Sequence, residues 1–311
     1  MRRVLSIDGG GIKGVYSAAF LSAIERSNNV EVADYFDLIV GTSTGGIIAI
    51  ALGLGFSAAN ILAFYEKYGG AIFPRNRFPL LRALIGPRYS AAPLREALQQ
   101  TFGDRRLGES RTRLVIPGSN LETGDVLLRK TAHDARFTVD YKLTAVEVAL
   151  GTASPPTYLQ EHYGSVGPAM VDGGLWANNP IGVAVVEAIG VLGWRSEEIY
   201  VLSLGCTTSP IDVMSGGRHQ KGIVQYSTRI VDLFMSTQSS AAVGTAAVLL
   251  GHDHIQRYTT VVSRRRFDLD DAKGIPDLRG LGEEAARQAL PDINGRFLTE
   301  PAEAFIPLRS I

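Results

Sequence analysis

A chain of 311 residues, 45% apolar and 20% charged, has ordinary globular composition and is not largely disordered. Lysine plus arginine and aspartate plus glutamate number 31 each, so no global field argues for DNA or RNA as a partner or for steering of an acidic substrate. The single cysteine, Cys206, excludes an intrachain disulfide, fits a reducing compartment and is expected to be buried as a small hydrophobe.

The N-terminus carries two arginines followed by a strand and a glycine loop, so no secretory signal is expected. The longest weakly polar runs, 45–56 and 239–251, are about a dozen residues, short of the ~20 a spanning helix needs. Any meeting with a membrane is therefore expected from its surface.

In chain order, periodicity places a strand near 3–8, a helix near 14–28, a strand near 36–41 and helices near 44–54, 57–68 and 92–102. A strand near 113–117, a helix near 145–152, a strand near 168–172 and a helix near 180–191 follow. The rest reads as a strand near 198–204, a helix near 223–250, a strand near 258–263 and a helix near 282–290. Continuous apolar strands such as 36–40 and 199–204 suggest a sheet covered on both faces. The expected class is α/β, a three-layer α/β/α sandwich with a mainly parallel sheet.

No linker or internal repeat divides the chain, so 1–311 is expected to form one domain, interrupted by a cap-like excursion at about 69–92. From 67 to 95 there are six basic residues and no acidic one, interleaved with Phe73, Phe78, Leu80, Leu81, Leu84 and Ile85. Arginines among apolar anchors suit anionic lipid; a loop packed over the site with solvated arginines is the simpler reading. The stretch 223–250 ends in a small-residue run from Ser239, which fits a subunit interface or, more simply, a helix buried against the sheet.

Three glycine-framed segments carry the chemistry. Gly41-Thr-Ser43-Thr-Gly45 has the G-x-S-x-G pattern of a nucleophile elbow, between a strand and an apolar helix as that motif requires. Asp8-Gly9-Gly10-Gly11-Ile-Lys-Gly14 can bring several N–H groups to one point, as an oxyanion hole needs. Asp172-Gly173-Gly174 puts an aspartate where a strand ends, at the sheet edge where ligands bind. The serine needs a base, because it must lose its proton as it attacks.

Two alternatives stand beside this reading. Gly9-x-Gly11-x-x-Gly14 also matches a dinucleotide fingerprint, which would make the chain a nucleotide-binding module. That site wants an acidic residue at the end of the second strand, where this chain has Val40-Gly41-Thr42-Ser43; Asp34 and Asp37 precede or open that strand. An esterase with a Ser-Asp-His triad would draw its base from His219, His252 or His254, which follow Asp172. His133 and His162 precede it, and none of the five sits in a glycine-framed strand end.

On these residues the chain resembles the patatin-like phospholipases. The likeness runs from Asp8 to Asn178-Asn179-Pro180, and Gly151-Thr-Ala-Ser-Pro-Pro-Thr-Tyr158 is similar to the family's small-residue and proline segment. The resemblance implies a Ser–Asp dyad without histidine: Ser43 as nucleophile, Asp172 as base, and the Gly9–Gly11 loop, through the amides of Gly10 and Gly11, as oxyanion hole. Asp8, Gly14, Gly41, Gly45, Gly173 and Gly174 support the motifs. No metal and no cofactor is implied; the substrate implied is an acyl ester of a membrane phospholipid, cleaved through an acyl-enzyme. Within the family the chain is similar to bacterial effectors switched on by cyclic nucleotides in CBASS antiphage defence. That implies a cyclic di- or trinucleotide activator, for which Lys221 and Arg264-Arg265-Arg266 are candidate contacts, and a cytoplasmic protein acting at the inner face of the membrane. A homo-oligomer is compatible with the small-residue stretch.

Overall fold

The computed structural model describes residues 1–74, 86–165, 167–209, 230–263 and 266–311. Strand β1 (Arg2–Ile7) lies inside a sheet whose described strands run in the order Val126–Lys130 (β4), Arg113–Asn120 (β3), Leu38–Gly41 (β2), β1, Ile199–Thr208 (β6) and Ile255–Val261 (β7). Strands β2 (Leu38–Gly41) and β6 (Ile199–Thr208) flank β1 in parallel, and β3 (Arg113–Asn120) and β7 (Ile255–Val261) extend it in parallel on either side.

Alternate residues of these strands enter two separate cores. Leu5, Ile7, Ile39, Leu114, Ile116, Leu202 and Leu204 point into one; Val4, Leu38, Val40, Val115, Ile199 and Val201 point into the other. Both faces are apolar because both are covered. Helices α1 (Gly14–Asn28), α2 (Thr44–Gly53), α3 (Ala58–Ile72), α4 (Ala92–Phe102), α5 (Ala145–Thr152) and α9 (Ile275–Arg296) close the larger core. Helices α7 (Ile181–Val186) and α8 (Ile230–Leu250) cover the smaller one, and α6 (Gly174–Ala177) is a single turn. The sandwich is the expected one.

Four elements differ from the sequence expectation. Strand β4 (Val126–Lys130) was not expected and pairs antiparallel with β3. The strand expected near 168–172 is the three-residue β5 (Met170–Asp172), and it runs antiparallel to β3. The helix expected near 282–290 starts at Ile275 and reaches Arg296, continuing through Pro291. Its Gly282 lets it lie against α1, since a Cβ there would stand 2.4 Å from the carbonyl oxygen of Tyr16. Of the stretch 223–250, the described part is the helix α8 from Ile230, and burial is only partial: Ala246, Ala247 and Leu250 are buried while Phe234, Val248 and Leu249 are exposed. By length and composition 233–250 could span a membrane, which the shorter runs considered above could not.

Candidate active site

The turn from β2 into α2 presents Ser43 with φ 55° and ψ −123°, a backbone state unusual outside glycine. The flanking glycines make this turn possible. A Cβ on Gly41 would meet the Gly45 carbonyl oxygen at 2.1 Å, and one on Gly45 would meet that of Ile7 at 2.3 Å. Side-chain hydrogen bonds fix the turn from both sides. Thr42 Oγ1 donates to the Ala177 carbonyl at 2.6 Å. The Ser43 N–H donates to Thr152 Oγ1 at 3.0 Å, and that hydroxyl donates to the Pro117 carbonyl at 2.6 Å.

Asp172 reaches the serine because β3 is longer than β2. Leu38, Ile39 and Val40 pair with Arg113, Leu114 and Val115; beyond them Gly118, Ser119 and Asn120 pair with Asp172, Val171 and Met170. β5 thus occupies the lane that β2 vacates and arrives from the opposite direction, ending beside the elbow. Ser43 Oγ donates to Asp172 Oδ2 at 2.6 Å, and the Gly174 N–H donates to Oδ1 at 2.7 Å. Both side chains are buried. Burial pushes the Asp172 carboxyl up to about 6, against the pull of the hydrogen bonds from Ser43 and Gly174. Such a carboxylate is a stronger proton acceptor than an exposed one and is still ionised at neutral pH.

The glycine loop leaves β1 beside the same serine. A Cβ on Gly9 would stand 3.1 Å from Ser43 Cβ, so the loop and the elbow touch. The Gly9 N–H donates to the Asn178 carbonyl at 2.8 Å, which ties the start of the loop to the segment after Asp172. The N–H groups of Gly10 and Gly11 have no hydrogen-bond partner among the described residues. Gly14 lies against Thr44, and Gly173 against the Pro117 carbonyl. Asp8 is buried in a two-point ion pair with Arg257 of β7, Nη2–Oδ2 at 2.6 Å and Nη1–Oδ1 at 3.2 Å. Burial pushes this carboxyl up and Arg257 pulls it back. Sequence reasoning singled out neither Arg257 nor the roles of Thr152 and Asn178. The latter two lie in quoted motifs, whereas nothing local marks Arg257.

Three of the four described histidines are engaged elsewhere. His133 bonds Thr131 and Glu187, His162 bonds Arg95 and pairs with the Met170 backbone, and His254 bonds the Ile199 carbonyl. His252 lies in the short turn His252–His254 that leads into β7, and His219 lies outside the described residues. No three metal-ligating side chains cluster among the described residues. Asp37 accepts from the Arg3 N–H at 2.8 Å, at the start of β2 and therefore at the edge of the sheet opposite Ser43. Cys206 is buried as expected, its thiol pushed up to about 12 by burial. Of the excursion at 69–92, residues 75–85 lie outside the described residues, with Arg75, Arg77, Arg82, Phe78, Leu80, Leu81, Leu84 and Ile85; so do Lys221, Arg264 and Arg265. Its described flanks pack down: Phe73 meets the Tyr89 ring at 5.7 Å, and Arg88 and Tyr89 both contact Asp270. Arg266 pairs with Asp277.

The family described as patatin-like phospholipase matches residues 5–185. A protein of Pseudomonas aeruginosa named "cGAMP-activated phospholipase" is 30% identical over 93% of this chain and 89% of its own length. One of the same name from Escherichia coli is 35% identical over 65% of this chain, and the match spans 61% of that relative's length. "Patatin-like protein 2" of Arabidopsis thaliana is 27% identical over 94% of this chain and 84% of its own. The chain belongs to the patatin-like phospholipase family.

Proposed function

We propose that this member of the patatin-like phospholipase family cleaves acyl esters of membrane phospholipids through Ser43 and Asp172. The observation that carries the reading is the 2.6 Å contact of Ser43 Oγ with Asp172 Oδ2 at the head of α2. Asp172 takes the hydroxyl proton as Oγ attacks the ester carbonyl carbon. The oxyanion that forms is met by the N–H groups of Gly10 and Gly11, which have no partner among the described residues and which such a site makes worth ~2.7–4 kcal/mol each. As the C–O bond of the tetrahedral intermediate breaks, the proton on Asp172 passes to the departing lysolipid oxygen. Water, deprotonated in turn by Asp172, releases the fatty acid from Ser43.

The names of the two bacterial relatives support a further step: a cyclic di- or trinucleotide activates the enzyme. With that activation we propose, on the resemblance alone, a role in antiviral defence from the cytoplasmic side of the membrane. Mass spectrometry of bacterial phospholipid vesicles tests both parts. Vesicles are incubated with wild type or Ser43→Ala, with and without a panel of cyclic di- and trinucleotides. Release of fatty acid and lysolipid by wild type alone, and only with one of the nucleotides, is expected. Release by Ser43→Ala removes the nucleophile, and no release under any condition removes the lipid substrate. Full release without nucleotide removes the activator.

A further inference from the structure

Arg257 lies outside the region 5–185 that the family matches, yet it touches the root of the site. Asp8 is the last residue whose main-chain N–H continues the pairing of β1 with β6, donating to the Leu204 carbonyl at 2.9 Å. The amides of Gly10 and Gly11, without a partner among the described residues, follow directly. Arg257 stands on β7, two strands from β1 in the sheet, and its guanidinium crosses β6 to hold both carboxylate oxygens of Asp8.

The same guanidinium has two further partners. Nη1 donates to Ser203 Oγ of β6 at 2.6 Å, and Nη2 to Ser239 Oγ of α8 at 3.4 Å. Ser239 Oγ accepts from Asn179 Nδ2 at 3.0 Å, and the neighbouring Asn178 carbonyl accepts the Gly9 N–H. Asn178 and Asn179 follow the single helical turn Gly174–Ala177 that comes after Asp172. One side chain therefore ties the start of the glycine loop directly, and the segment after the proposed base through one hydroxyl. A buried ion pair is weak evidence for stability, because apolar groups of the same size often serve as well. A planar two-point fork, by contrast, is a means of fixing orientation.

We infer that Arg257 is a positioning residue for the hydrolysis: through Asp8 and Ser239 it sets the Gly10 and Gly11 amides at the distance from Ser43 Oγ where they meet the oxyanion. The inference rests on the reading of Ser43 and Asp172 given above. Donors of this kind act only when aimed at the charge that develops in the transition state, so a small shift of the loop costs turnover and leaves ground-state binding nearly untouched.

The test uses the full-length protein and a soluble short-chain ester. Arg257→Lys, Arg257→Ala and the double variant Asp8→Asn/Arg257→Met are compared for kcat, KM, Tm and inhibition by an acyl trifluoromethyl ketone, whose hemiketal oxyanion mimics the intermediate. For each variant kcat is expected to fall about 10²-fold with KM within about twofold, the inhibition constant rising in step with the loss of kcat/KM. Added guanidinium should restore part of the kcat of Arg257→Ala. The double variant, which leaves no unpaired charge, should recover the Tm but not the kcat. Recovery of kcat together with Tm would assign the pair to stability alone and overturn the proposal, as would wild-type kcat in Arg257→Lys. Should the double variant fail to fold, absence of guanidinium rescue in folded Arg257→Ala overturns it. Failure of the underlying dyad looks different: Ser43→Ala or Asp172→Asn would then turn over the ester with Arg257 intact.

Discussion

Thr152 Oγ1 accepts the main-chain N–H of Ser43 at 3.0 Å and donates to the carbonyl of Pro117 at 2.6 Å, joining the elbow to the strand that carries β5. The hydroxyl is fully buried, so both of its partners depend on it. Thr152→Val keeps the shape and leaves a buried donor and a buried acceptor unpaired, at about 1–3 kcal/mol each. A lower midpoint in chemical denaturation is expected, with a fall in kcat because the strained φ of Ser43 loses a constraint. Thr152→Ser should restore both. Unchanged stability in Thr152→Val would show that the bond does not hold the elbow.

The pH dependence follows from Asp172. Its carboxyl, pushed up to about 6, must be ionised to take the serine proton, so kcat/KM should rise with pH through about 6 and level off above it. For stability the sign is the opposite. The folded state binds the proton more tightly than the unfolded chain does, so ionised Asp172 weakens the fold above pH 6, and the penalty fades as pH falls towards the unfolded value. Asp172→Asn should therefore abolish turnover while raising Tm at pH 7.5, with the gain lost near pH 4. A pH profile with no acid limb near 6 would remove Asp172 as the base.

Gly10 and Cys206 form a pair that can be tested by compensation. A Cβ on Gly10 would stand 2.6 Å from Cys206 Sγ, so Gly10→Ala should push the loop off its place and lower kcat at least tenfold. Cys206→Ala alone removes one buried atom and should cost about 1 kcal/mol. In the double variant the main obstruction is gone, and kcat should recover by more than the two single effects allow when added. Additive losses would mean that the loop does not rest on Cys206.

The parts of the site legible in the sequence are those whose geometry is local. Ser43 between Gly41 and Gly45, the glycines after Asp8 and the turn after Asp172 are each specified by neighbours within a few positions. Strand direction is not local: 168–172 reads as a strand, but the antiparallel course of β5 depends on β3 outrunning β2. Arg257 was invisible for the same reason, since its partner is Asp8 at the other end of the chain. The partners that let β4 bury Arg129 and Lys130 are equally distant from it in local pattern: Asp140 and Glu187, which pair with them. α9 extends beyond the expected 282–290 at both ends, and its Gly282 is what allows the contact with α1.

The β4 edge offers the clearest stability prediction. Lys130 Nζ and His133 Nε2 meet the two carboxylate oxygens of Glu187 at 2.6 and 2.9 Å, and Glu187 is buried. Burial pushes the Glu187 carboxyl up, but the hydrogen bonds from His133 and Lys130 outweigh it and hold the group below its ordinary range. A depressed carboxyl contributes stability above its unfolded value and loses it as pH falls through the folded one. Part of the acid destabilisation of the fold should therefore vanish in Glu187→Gln. At neutral pH that variant leaves Lys130 buried without its counter-charge and should cost roughly 3 kcal/mol. Glu187→Gln/Lys130→Met removes both charges and should regain most of the loss. Urea denaturation at pH 4.5 and 7.5 measures both effects; equal stability of wild type and Glu187→Gln at pH 7.5 would mean that the cluster does not support the edge strand.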